Sequence, residues 1–270
     1  MLAEPTAMTE MQIAETIERF AVTARRAEEA GFDGVEIHAA HGYLLSQFLS
    51  PLANQRGDRW GGPLENRARL LLDIVRAVRA AVRPGFAVAV KLNSADFQRG
   101  GFDLLGAREV HLALDVERLR LSSVEPLDWS DRLLELMAAS PRIAQHVHAP
   151  LQTGSDAVLR RMRRPYRARH YEERIRKARA LMPDAAIGAD VMVGFPGETD
   201  AEFEENCAFI EALPFTYLHV FTYSARPGTP AASAPGQVPV PVRRERNRVL
   251  RELAAKKNLE FRRRLIGKTL

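Results

Sequence analysis

Residues 102–121, FDLLGAREVHLALDVERLRL, mark the point where the sequence changes character, and the fold is read outward from them. Just upstream, AVAVKL at 87–92 is a short apolar run suited to a buried parallel strand. Before it come a helical pattern at 64–82, a Pro/Gly-rich loop at 50–63 and the strand-like GVEIH at 34–38. Thr9 and Gln12 fit a capping box, Ile13, Ile17, Phe20, Ala21 and Ala24 recur at helical spacing, and Gly31 stops that helix. Downstream, strand-like runs at 118–122, 146–149, 186–193 and 217–223 alternate with helical patterns at 130–139, 168–182 and 200–213. Six strands alternating with helices predict an α/β fold with parallel pairing and right-handed crossovers. Residues 224–242 are Pro-rich and read as an extended connector to a long basic helix at 243–266 that stops at Gly267.

Composition sets the class. With 270 residues and 46% apolar content, the chain can bury a large core, as one barrel-sized domain or two smaller ones. No apolar run approaches the roughly 20 residues of a membrane helix, and charged and capping residues stand where a secretory signal has an apolar block, so a cytoplasmic location is expected. The one cysteine, Cys207, excludes an internal disulfide and a multi-cysteine metal site built from this chain, and reads as a small core residue. The net charge of +5 is concentrated in two runs, 160–179 with Arg160 and Arg179 at its ends, and 243–264 with Arg243 and Arg264 at its ends. Such runs are either solvated helix faces or phosphate-attracting patches for a nucleic acid such as tRNA.

His38 ends a strand and His41 lies three residues on, so both imidazoles fall at the C-terminal mouth of a parallel sheet, where α/β barrels build their sites. By spacing alone such histidines pack or cap as readily as they bind. The stretch FDGVEIHAAHGYLLSQFLSPLANQRGDRWGGPLENRARLL, followed by VAVKLNSADFQRGGF, closely resembles the old yellow enzyme family of FMN-dependent oxidoreductases over about residues 5–102. The resemblance implies that His38 and His41 bind a substrate carbonyl and stabilise the charge that develops on it, that Tyr43 contacts substrate, and that Lys91 lies near the flavin N1/O2 edge. That family's phosphate-holding strands have no counterpart after Phe102, so FMN binding is expected to be weak or lost.

Beyond the seam, RLRLSSVEPLDW, HVHAPLQTGSDAVLRRMRRPY, GADVMVGFPGETDAEFEEN and YLHVFTYSARPGTPAA resemble the later strands of radical S-adenosylmethionine tRNA methylthiotransferases, in the threonylcarbamoyladenosine branch. The resemblance places Gln152, Thr153, Ser155, Asp190, Glu198 and Tyr223 around an S-adenosylmethionine pocket, with the Gly194 to Gly197 turn allowing close backbone approach. As loop architecture the same residues are turns, with Asp156 and Asp200 as helix caps. Ala149, Thr222 and Ala225 depart from the family pattern. The CxxxCxxC loop that holds a [4Fe-4S] cluster in that family has no match here, so no cluster is expected. Residues 267–270, GKTL, resemble the start of the family's RNA-binding domain.

Two strands before the seam and four after it add to the six of the radical-enzyme barrel. The expectation is a hybrid (βα)6 TIM-like barrel of six parallel strands, closed or partly open, from a flavin-oxidoreductase-like half at 1–102 and a radical-barrel half at 103–223, with 224–270 as connector and basic helix. Three functions follow: a scaffold without parental catalysis, a residual FMN oxidoreductase, or a binding module for S-adenosylmethionine or tRNA.

Overall fold

A computed structural model describes residues 6–268, which leaves the last two residues of the GKTL segment, Thr269 and Leu270, outside the described residues. The chain divides into two compact units, Met1–Val116 and Glu117–Leu270.

The first unit runs α1 (Glu10–Glu29), β1 (Gly34–Ala39), α2 (Leu44–Leu49), α3 (Leu64–Ala81), β2 (Ala87–Leu92) and α4 (Leu104–Leu114). The predicted capping box forms: Gln12 N–H donates to the Thr9 hydroxyl, and Thr9 N–H to the Gln12 side chain. β1 and β2 pair in parallel, with His38 opposite Lys91. Because side chains alternate along a strand, Ile37 and Ala39 turn inward while Glu36 and His38 take the other face. The inward face packs on Leu70, Leu71, Ile74 and Val78 of α3 and on Ile13 and Ala24 of α1, all buried. Each such Leu or Ile contributes about 1.5–3 kcal/mol of burial. Most of the seam belongs here, up to Val116, and Phe102, Ala107 and Val110 are buried in the same core.

The second unit contains α5 (Asp131–Ala139), β3 (His146–His148), α6 (Asp156–Arg161), α7 (Ala168–Leu181), β4 (Ala186–Val193), α8 (Asp200–Ala212), β5 (Tyr217–Thr222) and α9 (Val240–Arg264). Its sheet is parallel, in the order β3-β4-β5. Val147, Ile187, Ala189, Val191 and Val193 face helices and bury completely with Leu134, Met137, Tyr171, Ile175 and Ile210. On the opposite face the Tyr217 ring lies over Gly188 so closely that a Cβ there would come within 2.0 Å of it. The glycine is therefore needed for close approach rather than for a turn.

The expected single sheet of six strands is not what forms: among the described residues five strands make two separate sheets, and neither closes into a barrel. The strand expected at 118–122 is reduced to one bridge, Leu119 to Ile143. Leu119 exchanges hydrogen bonds with the Arg142 carbonyl and the Ala144 N–H. At the next position the ladder fails, because His146 N–H turns onto the Ala144 carbonyl and the His146 imidazole Nδ1 takes up the Leu121 carbonyl. Ser123 then adopts a φ of 56°, in the left-handed region, which ends any extended run.

Candidate functional site

Two clusters carry chemistry, one on the open face of each sheet. In the first unit, Ala40 N–H donates to His38 Nδ1 at 3.2 Å, so the neutral imidazole carries its proton on Nε2. That nitrogen lies 3.3 Å from His41 Nδ1. With both rings neutral, this relay leaves Nε2–H of the exposed His41 as the remaining donor, so the pair presents one N–H rather than two. His41 holds a φ of 60°, and its own N–H donates to Asn93 Oδ1 at 3.3 Å. Asn93, just past β2, thus helps to fix the turn, and nothing in the sequence marked it. The Tyr43 ring meets His38 edge-on at 5.0 Å and is mostly exposed. Lys91 stands opposite His38 in the register of β1 and β2.

In the second unit, each residue expected around the pocket has its own hydrogen-bond setting. The Glu198 carboxylate is fully buried, with Oε2 accepting from Gly194 N–H at 2.6 Å and from Arg246 Nη1 at 2.7 Å. Burial pushes its pKa up against the opposing pull of those donors. Gln152, at a φ of 67°, extends the β3 pairing: its N–H donates to the Asp190 carbonyl, and its carbonyl accepts from Met192 N–H. Thr153 is buried, with its Oγ1 accepting from Ser155 N–H at 3.3 Å. Ser155 is buried at the start of α6, and its hydroxyl has no hydrogen-bond partner. The Tyr223 hydroxyl is likewise buried and unpartnered, with its ring edge-on to Phe195.

Asp190 keeps different company. Its Oδ1 sits 3.0 Å from His219 Nδ1 and 3.3 Å from His148 Nε2. Partial burial pushes its carboxyl up, and the two imidazoles more than offset this, holding it below the ordinary carboxylate value. Neither histidine was singled out in the sequence, although the alternation of HVH at 146–148 with LHV at 218–220 puts both on one face once the strands are in register. Alongside them, Tyr217 Oη lies 2.7 Å from His146 Nε2, and burial raises the Tyr217 pKa to about 12.

The family model described as NADH:flavin oxidoreductase / NADH oxidase matches residues 2–154. The chain belongs to this family. Flavin oxidoreductase likeness therefore runs through the seam and beyond β3. The chain is also similar to a tRNA-2-methylthio-N(6)-dimethylallyladenosine synthase of Salinispora arenicola (strain CNS-205), at 35% identity over 99% of this chain and 53% of that protein. The enzyme of the same name from Mycobacterium sp. (strain JLS) is 45% identical over 57% of this chain and 30% of its own length. These names carry the dimethylallyladenosine modification, where the sequence reading favoured the threonylcarbamoyladenosine branch. The chain spans about half the length of the first of these relatives. Among solved structures, a 2-naphthoyl-CoA reductase bound to 2-naphthoyl-CoA matches with a TM-score of 0.41 at 25% identity, over 68% of this chain and 24% of its own. An old yellow enzyme homologue from Zymomonas mobilis matches with a TM-score of 0.38 at 34% identity, over 43% of this chain and 34% of its own. The chain thus resembles both families, and the two likenesses overlap.

The flavin oxidoreductase family implies FMN, and the first unit's groups fit only part of it. The outward N–H of His41 suits a carbonyl or phenolate oxygen. The half-buried guanidinium groups do not suit a phosphate, because Arg56 is held by Asp58 and the Met8 carbonyl, and Arg67 by the carbonyls of Leu49 and Gly62. The buried side-chain polar atoms found without partners all lie in the second unit, so none in the described first unit awaits a cofactor. The thiol of Cys207 is raised to about 11 by burial, with nearby glutamates adding to the effect, so it is not a ready thiolate. Among the described residues no helix is long and apolar enough to cross a membrane.

Proposed function

We propose that the chain is a hybrid that keeps the oxygen-binding histidine of a flavin reductase on the strand scaffold of a methylthiotransferase and runs neither parental reaction by itself. The observation that carries this reading is the His38–His41 relay, which leaves a single N–H on an exposed residue. One donor binds a carbonyl or phenolate oxygen weakly. A developing enolate is held by two donors in the reading of the parent family, and the loss of one costs on the order of 10²–10³ in rate in comparable oxyanion sites. The sole thiol, Cys207, supports the same reading on the methylthiotransferase side, since a [4Fe-4S] cluster takes several thiolates.

The test is a paired titration with 4-nitrophenol and with FMN, followed by absorption and fluorescence. Wild-type chain is expected to shift the nitrophenolate spectrum, His41→Ala to abolish the shift, and FMN to show no saturable change. Saturable FMN binding with NADH-dependent reduction of a cyclic enone would replace this reading with a residual oxidoreductase.

A second reading, tRNA contact, is favoured by the relatives' names and by the basic α9, where Arg244, Arg251, Arg262 and Arg263 are exposed. Part of that helix's charge is already engaged inside the fold: Arg243 donates to the Tyr223 carbonyl, Arg246 to Glu198 and Lys257 to the Leu213 carbonyl. If the remaining charge contacts three or four phosphates, log K against log salt falls with a slope of roughly −3. A filter-binding titration with total tRNA that shows no binding at low salt removes this reading.

A further inference from the structure

We propose that His148, Asp190 and His219 form a binding site for a zinc-type divalent transition-metal ion on the open face of the β3-β4-β5 sheet. The site follows from strand register. His148 pairs with Gly188, two residues before Asp190 on the same face of β4, and Asp190 pairs with His219. Three rigid strand positions therefore present two imidazoles and a carboxylate side by side.

Two of the three ligand-atom distances match what such an ion requires. Bonds of about 2.0–2.1 Å in tetrahedral geometry separate neighbouring ligand atoms by roughly 3.3 Å. Asp190 Oδ1 lies 3.3 Å from His148 Nε2 and 3.0 Å from His219 Nδ1, and all three ligand atoms fall within 4.8 Å of one another. Rotation of the exposed His219 side chain shortens the remaining edge without disturbing the core.

An independent observation points to a missing partner. His148 is 5% exposed, and its Nε2 has no hydrogen-bond partner, because the approach to Asp190 is close but misaligned. A buried ring nitrogen in that condition is costly unless something coordinates it. The other ring nitrogen is already supported: Nδ1 lies 3.3 Å from Ser123 Oγ, which can accept the proton that a metal-bound imidazole carries there. Ser123 N–H, which otherwise donates to Nδ1, belongs to an exposed residue and passes to water. Two histidines and one carboxylate fill three positions of a tetrahedral ion and leave at least one coordination position open. The site shares no residue with the His38–His41 pair and does not depend on the reading given to it.

The experiment uses the full chain carrying His38→Ala and His41→Ala, which removes the other imidazole pair as a competing ligand. Co²⁺ is titrated while its visible ligand-field absorption is followed, and Zn²⁺ is then added. The expected result is a signal that saturates at one equivalent and is displaced by Zn²⁺. Adding His219→Ala or Asp190→Asn is expected to weaken binding roughly tenfold or more, while His170→Ala, at an exposed helix position, leaves it unchanged. His219 is exposed, so its variant keeps the fold, which far-UV circular dichroism checks. No saturable signal, or one that survives both His219→Ala and Asp190→Asn, overturns the proposal.

Discussion

Arg246→Ala is expected to destabilise the second unit by about 3–5 kcal/mol, the usual cost of leaving a buried charge without its partner. The guanidinium is almost entirely buried and sits against a Glu198 side chain with no exposure at all, at 2.7 Å. It also donates to the Glu198 main-chain carbonyl at 3.1 Å and packs over the Phe203 ring. One side chain of α9 thereby closes the loop between β4 and α8. Asp200, its other partner at 2.7 Å, is largely exposed and adds little. Without Arg246, Glu198 keeps only the Gly194 N–H, and burial drives its pKa further up. The sign of the pH effect follows. A carboxyl raised in the folded state stabilises below its unfolded pKa, and that contribution is lost as pH rises through the folded pKa. The deficit of Arg246→Ala should therefore be largest near neutral pH and shrink on acidification toward the ordinary carboxylate range. The double variant Arg246→Leu/Glu198→Gln, with no charge to strand, should recover much of the loss. Urea denaturation at several pH values reads all three. A deficit that is flat with pH, or under about 1 kcal/mol, would mean the pair does not tie α9 to the sheet.

The local signals in the sequence were read more accurately than the long-range ones. The Thr9 and Gln12 capping box and the strands at 34–38, 87–92 and 186–193 depend on residue type and nearest-neighbour order, and the structure forms them with β1 running one residue further, to Ala39. The failed strand at 118–122 shows the limit. Leu119 and Leu121 alternate with Arg118 and Arg120 as a half-buried strand should, yet pairing is decided by a partner more than 20 residues away, where the His146 imidazole competes for the Leu121 carbonyl. The short helix α2 carries LLSQFL, six residues with no resolvable period. The His148–Asp190–His219 cluster was hidden for a related reason. Three residues spread over 72 positions meet only through the register of three strands, and register is not printed in any one of them. Glu198 was legible as a polar residue at a strand end, but its partner comes from α9, 48 positions on, so its structural use could not be read locally.

Trp129→Ala should cost the second unit about 3–5 kcal/mol, as full removal of a buried aromatic side chain does. Trp129 is 1% exposed and stands at the head of a core with Leu134, Met137 and Val147. It also has a positional task. Its indole N–H donates to the Val124 carbonyl at 3.0 Å, and Val124 N–H donates to the His148 carbonyl at 3.2 Å. Trp129 thus joins the His146 and His148 imidazoles in pinning the segment that fails to become a strand, and the residues just after it, to β3. Trp129→Phe separates the two roles, since it keeps most of the ring volume and loses the donor. It should cost only about 1 kcal/mol, because Val124 is partly exposed and water can take its carbonyl. The chain's other tryptophan, Trp60, is buried in the first unit, so in both variants its fluorescence reports that unit alone while far-UV circular dichroism follows the whole. If the units unfold independently, Trp129→Ala lowers the circular-dichroism midpoint of one transition and leaves the Trp60 transition in place. If Trp60 fluorescence moves with it by the same amount, the units fold cooperatively, and the seam at 102–121 transmits stability instead of merely joining two cores. That outcome would change how the chain is understood, because segments that resemble two families would then depend on one folding transition.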